Sequence, residues 1–338
     1  MNGYRKIGSS LSPLARSGEA RSEKSSFGSR THSRSLLSLV IGLQAVLLLT
    51  IFGGFARLIY LQRDSTLVLV IFTPGIFAIL WSIDPISSLR KEMIGLAILI
   101  WLALPGGSLQ RIIISGALML LGGIAQEINI LMIPAWIIAL WLFQPTSLSH
   151  PVAKSMIAVV LVAGAAEAVY ALKYSSLADA SPICAALMEK GLSGTPLCSG
   201  AIAWLSNPEN GPETVLSALE RSWTAWLLPG AWLVAIAPIL RLLQTQTSAR
   251  RKTGWLLLVA ATPIVLLYPV GLDWGRWFAV QVTITATLLL GLGVRGQLSE
   301  THAISRREKT LWLISCLLWG FMHDPILTNQ GLLMTIAG

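Results

Sequence analysis

The stretch VGLDWGRWFAVQVTITATLLLGLGV, Val270 to Val294, sets an aspartate just before Trp274 and an arginine between Trp274 and Trp277, and then continues from Trp277 without a single charge. A helix needs about 20 mostly apolar residues to cross roughly 30 Å of bilayer hydrocarbon at about 1.5 Å per residue, and 277–294 comes close to that length. The run is continuous rather than alternating, which argues against a strand. Similar runs recur at 36–60, 66–82, 93–105, 111–125, 128–143, 155–173, 223–242, 254–271 and 311–323. With 277–294 they make about ten candidate crossings by the length criterion. The segments 93–105, 111–125 and 128–143 are short. They are expected to be tilted, extended by flanking residues, or re-entrant where protein or water satisfies the backbone. The composition agrees: of 338 residues 54% are hydrophobic and 12% charged, with a mean hydropathy of +0.68, far from an ordinary soluble domain. The expected fold class is all-α, a polytopic integral membrane helical bundle.

A formal net charge of +9 raises the question of nucleic acid, but the cations lie in short loops between apolar runs and in the N-terminal tail, a distribution that reports topology. No nucleic-acid partner is expected. The tail 1–34 holds seven Lys/Arg and nine Ser without apolar periodicity and reads as disordered. It is too long and basic for a signal peptide, with no small-residue cleavage site after its apolar run. The transmembrane domain is expected over 35–325, followed by a C-terminal tail, 326–338.

Cys184 and Cys198 lie in the long polar loop 174–222, and Cys316 sits in an apolar run. A disulfide between the first two would close a ring worth roughly 3 kcal/mol if the loop faces an oxidising compartment, the alternative being two free thiols. With that loop outside, alternation places 145–154, 243–253 and 295–310 inside. These carry Lys154, then Arg250, Arg251 and Lys252, then Arg295, Arg306, Arg307 and Lys309, as the positive-inside rule requires. The N-terminus is in conflict with the same rule: if 36–60 and 66–82 both cross, the basic tail lies outside. Either one early segment does not fully cross or the tail is exported.

The outer side then receives Asp273 to Trp277, the neighbourhood of Glu127, and DPISSLRKE at 84–92. An ionised side chain at mid-bilayer costs at least about 2.5–3.5 kcal/mol, so such groups face a cavity or a partner. Asp273 and Arg276 are three apart and would share a helix face. With Trp274 and Trp277 as an aromatic belt, a structural ion pair is one reading. The sharper one uses arginine's planar fork, which grips phosphate oxygens bidentately: Arg90, Lys91 and Arg276 bind a pyrophosphate. Glu127 serves as a base, or else caps the helix that follows it. Glu167 would pair with Lys173 or snorkel, and His323 and Asp324 read as interfacial. Walker, zinc-protease, redox and hydrolase motifs are missing, and four scattered histidines do not make a metal site. No cofactor or metal is expected.

The runs SLRKEMIGLAILIWLAL and RIIISGALMLLGGIAQEINILMIPAWIIAL, within 88–143, resemble exopolysaccharide polymerases of the EpsG/Wzy type. In that family an Arg-Gln/Lys pair opens a transmembrane helix, and the next helix ends in an aromatic-His pair before an apolar run with proline. Arg90-Lys91 match the opening pair and Pro134 the proline. Gln126-Glu127 stand where the family has Phe-His, so a His-dependent step does not transfer. DWGRW is similar to a later motif of bacterial membrane proteins of this broad group.

The resemblance implies a bacterial inner-membrane protein that polymerises undecaprenyl-pyrophosphate-linked oligosaccharide units on the periplasmic face. Arg90, Lys91 and Arg276 would hold the pyrophosphate, Glu127 would act as base, and Asp273 would orient Arg276. The partners it implies are membrane lipid, a polyprenyl-pyrophosphate-linked glycan and other polysaccharide-assembly proteins. The competing readings are a multi-spanning lipid-phosphosugar-dependent glycosyltransferase, and a transporter or structural subunit without catalysis. The first would place acidic residues in the first outer loop, where the chain offers Asp64 and Asp84. The second would show inverted internal repeats, and none is visible.

Overall fold

The computed structural model describes residues 23–62, 92–125, 127–174, 181–189, 212–221, 227–269, 274–298 and 304–319, and the described residues contain no strand. Their helices are α1 (Glu23–Leu61), α2 (Met93–Ala103), α3 (Leu109–Ala125), α4 (Glu127–Leu131), α5 (Ile133–Phe143), α6 (Pro151–Tyr174), α7 (Ser181–Glu189), α8 (Pro212–Arg221), α9 (Leu227–Gln244), α10 (Ser248–Ala261), α11 (Trp274–Val294) and α12 (Arg306–Trp319). Short 3-10 stretches, Ser147–Ser149 and Thr262–Leu267, follow α5 and α10. The chain divides into two units, Met1–Val46 and Leu47–Gly338. In the first, residues 23–46 are helical, and residues 1–22 of the basic tail lie outside the described residues.

The second unit is a helical bundle whose elements follow the apolar runs closely. Two helical segments, Gly42–Leu61 and Pro151–Tyr170, are long and apolar enough to cross a membrane. Several apolar helices are shorter: α2 and α5 have 11 residues each and α3 has 17. The run expected as one helix over 128–143 is broken at Met132, because Pro134 has no amide hydrogen to continue the α4 ladder and instead sits in the first turn of α5. The run 254–271 begins as α10 and tightens into 3-10 geometry at Thr262-Pro263 for the same reason.

α11 is the central helix: every residue from Val280 to Leu292 is buried. Its polar side chains Gln281, Thr283, Thr285 and Thr287 are buried with the rest. The Thr285 and Thr287 hydroxyls donate to the carbonyls of Gln281 and Thr283, at 3.0 and 2.8 Å, the back-bonding that lets threonine sit in an apolar helix. α2 lies beside α11 and is buried on nearly every face. α6 is the reverse. Only 17% of its apolar window is buried, and Val159, Leu161, Val162 and Val169 are exposed. A soluble bundle hides such side chains and exposes its hydroxyls and amides, so contiguous exposed apolar faces mark a surface meant for an apolar partner.

Across the core, the Trp136 indole donates to the Ser115 hydroxyl at 3.0 Å, and that hydroxyl donates to the Ile112 carbonyl. This satisfies the indole N–H that burial of Trp136 would otherwise strand.

Candidate functional site

The loops that follow α2, α5, α9 and α11 all lie at one end of the bundle. Arg295, just past α11, donates to the carbonyls of Ala103 and Leu104 at 2.5 and 2.9 Å, and its guanidinium lies 4.2 Å from the Phe143 ring at the end of α5. The last four carbonyls of a helix have no partner within it, and here an arginine from α11 supplies the donors for α2. Arg111, at the start of α3, donates to Leu104 and Gly106 at 3.1 and 2.8 Å. Gln144 closes the loop, taking the Ser108 amide hydrogen and donating to Gly106, both at 3.1 Å. Gly106 has φ +103°, a conformation that favours glycine. Burial, then the charge of Arg111, push Arg295 down to about 10, so it stays charged at neutral pH. These residues form a structural lock: their donors are spent on backbone carbonyls.

At the same end Arg241 of α9 pairs with Glu308 at 3.1 Å. Ser305 and Glu308 form a capping box at the start of α12: the Ser305 amide donates to Glu308 Oε2 at 2.9 Å, and the Glu308 amide donates to Ser305 Oγ at 3.2 Å. Those bonds, the Ser305 amide first, hold the Glu308 carboxyl below the usual carboxylate range, with Arg241 adding to them.

The opposite end is where chemistry-bearing residues collect. Asn129 of α4 is fully buried. Its Oδ1 accepts from the Gly95 amide in the first turn of α2 at 3.1 Å, and its Nδ2 donates to the Gly122 carbonyl of α3 at 2.9 Å. One side chain thus ties three helix ends together. Gly95 is a glycine because a Cβ there would collide with Met132 and Asn129. Glu92, immediately before α2, is 2% exposed. The Glu167 carboxylate of α6 reaches over to α3 so closely that a Cβ at Gly123 would overlap it. Glu92 and Asn129 therefore lie at helix ends joined by one hydrogen-bonded amide, and Glu167 of α6 packs against α3 one residue past the Gly122 carbonyl that this amide holds.

The expected site residues relate to this end as follows. Glu127 is the first residue of α4, two positions before Asn129, and its side chain lies outside the described residues. Arg90 and Lys91 immediately precede Glu92 in the sequence and lie outside the described residues, as does Asp273. Arg276 falls in the first turn of α11, where a turn between helices was expected up to Trp277; the helix begins at Trp274. Its side chain is outside the described residues. Trp277 is buried, its ring 6.1 Å from that of Tyr268, so it anchors the core and not a bilayer surface. The C-terminal ends of α2 and α11 are fastened together by Arg295, so the two helices run in the same direction. Counting back from the contact between Ala103 and Gly291 brings Glu92 level with Val280. Arg276 lies one turn further, about 6 Å along the axis.

Cys184 lies in α7 and is disulfide-bonded; Cys198 is outside the described residues. Among the described residues no group of three or more His, Cys, Asp or Glu is placed to hold a metal. Sequence reasoning missed Asn129 and gave Glu92 no role. The available signal was an amide inside an otherwise apolar segment, INILMIP, where a polar group needs a partner. No protein-family model matches the chain, and no curated protein and no solved structure is similar to it.

Proposed function

We propose that the chain is a polytopic membrane protein of polysaccharide assembly, with its reactive face at the Asn129 end of the bundle. On this reading it transfers undecaprenyl-pyrophosphate-linked oligosaccharide units on the periplasmic side of a bacterial inner membrane. The observation that carries the reading is the Asn129 tie. It joins the start of α2, which follows Arg90-Lys91 in the sequence, to α4, which begins with Glu127. The register of α2 and α11 brings the backbone of Arg276 to the same end.

The membrane setting is supported by the exposed apolar surface of α6 and by the concentration of cations at the other end, the side the positive-inside rule makes cytoplasmic. The disulfide of Cys184 belongs to the segment after α6, on the side that this assignment makes oxidising.

The chemistry asks for two kinds of group. The sugar's C1–O bond to pyrophosphate breaks while the acceptor hydroxyl oxygen bonds to C1, and the acceptor's proton leaves. Arg90, Lys91 and Arg276 would stabilise the charge that develops on the departing pyrophosphate, Asp273 would orient Arg276, and Glu127 would take the proton. The interruption at Met132 favours a second reading, since discontinuous helices beside buried polar groups are a feature of carriers. In that case the same end binds the lipid-linked glycan and moves it without reaction.

Alanine replacement of Arg276, Arg90 and Glu127 separately, followed by sizing of surface polysaccharide, tests the proposal. Shortened chains with unchanged protein levels are expected. Normal chain lengths in all three variants would sink it, and loss of surface glycan without accumulation of short chains would select the carrier.

A further inference from the structure

The cytoplasm-facing end assigned above carries a second feature that the transfer reaction does not use. A cavity of 230 Å³ opens between the ends of α5, α10 and α11. One side is polar, with Arg250, Thr253 and Gln297, and the other is apolar, with Leu142, Leu292 and Leu298. The volume equals roughly eight waters of liquid, enough for a phosphate and the carbons attached to it. Among the described residues the surrounding charge is mostly basic. Arg251, Lys252, Arg306 and Arg307 are exposed around this end, and Glu308, the acidic residue at this end among the described residues, is already paired with Arg241.

Two tryptophans mark the level of the cavity. Trp141, one residue before Leu142, is 56% exposed, and Trp255, two residues after Thr253, is 53% exposed. Exposed indoles next to apolar helix surface sit where hydrocarbon meets headgroups. A ligand here meets cations on one side and apolar side chains on the other at headgroup depth, and that is the chemistry of an anionic phospholipid.

We infer that this cavity binds the phosphodiester headgroup of an anionic phospholipid of the inner leaflet, with Arg250 on the phosphate and Leu142, Leu292 and Leu298 against the adjoining carbons. The inference rests on the membrane reading and is independent of the polymerase chemistry.

The test uses the full chain in phosphatidylcholine nanodiscs with and without phosphatidylglycerol, and native mass spectrometry to count retained phosphatidylglycerol. Arg250→Gln should lower retention about five-fold, the loss of one direct hydrogen bond to the phosphate. Ala249→Leu, which fills the cavity mouth from an exposed helical position without changing charge, should lower it similarly. Arg251→Gln, an equal loss of charge beside the cavity, should leave most of it. Unchanged retention in both Arg250→Gln and Ala249→Leu, or an equal loss in Arg251→Gln, overturns the site. Displacement by soluble glycerol 3-phosphate as effective as by the lipid overturns the lipid as its occupant. A chain that enters neither kind of nanodisc overturns the membrane reading itself, a different failure from loss of selectivity in a chain that does enter.

Discussion

α6 and α11 are both long and apolar, and they solve opposite problems. α11 buries every residue from Val280 to Leu292 and hides Gln281, Thr283, Thr285 and Thr287 in the middle of the bundle. α6 packs one stripe and turns valines and leucines outward. Hydropathy treats the two alike because it sums composition and ignores direction. The contrast shows an apolar interior that also takes in these amide and hydroxyl groups, beside a helix whose apolar face is left uncovered.

The comparison can be broken at its core first. Leu289 is fully buried in α11, and Leu289→Ala should cost about 2–5 kcal/mol through lost transfer energy and the cavity left behind. Val162→Ala on the exposed face of α6 should stay within about 0.5 kcal/mol. Thermal unfolding of the detergent-solubilised protein measures both, and equal losses would erase the distinction. The outer face is sharpened by Val162→Arg, which should be tolerated on a protein surface in water but cost about 2.5–3.5 kcal/mol against lipid. Its reading is the fraction of chain recovered in membranes, and recovery equal to wild type would show that α6 does not face hydrocarbon.

The third test concerns the polar end. Asn129→Leu keeps the branched outline of the side chain but leaves the Gly95 amide and the Gly122 carbonyl without this partner. It should destabilise by about 2 kcal/mol and raise hydrogen exchange at the start of α2 more than at its end.

The smallest effect belongs to the α12 cap. Glu308 has its folded-state carboxyl held low, so its contribution is present above the ordinary glutamate range and is lost as pH falls through the depressed value. Hydrogen exchange at 304–310 should rise on acidification in the wild type. In Glu308→Gln it should already be raised at neutral pH and respond less to acid.

Much of the helix order was legible because apolar runs and their polar breaks are written locally. Helices α2 and α11 were foreseen to within a few residues at each end. What was not legible was which apolar runs are buried and which keep an exposed face: α2 and α5 are apolar all round, and a helix without a polar face gives no period to read. The start of α11 was set too late because the apolar run was counted from Trp277, past the last charge, whereas the helix takes Arg276 into its first turn. Asn129 escaped notice for a different reason. Its importance comes from Gly95, 34 residues away, and no local pattern records a partner at that distance. The same holds for Arg295, whose place in a basic loop was read as a topology signal although its hydrogen bonds close another helix.

That closure sets an order of assembly. The carbonyl of Ala103 is met by a residue 192 positions later in the chain. During synthesis α2 therefore emerges with a C-terminal end that Arg111 can meet at Leu104 but whose Ala103 carbonyl waits for the residue that follows α11. Until then the two ends of α2 differ in fate: its start can be tied by Asn129 as soon as α4 follows, while its finish waits for most of the protein. A chain stopped before Arg295 would hold every residue of α2 and still lack the means to complete it.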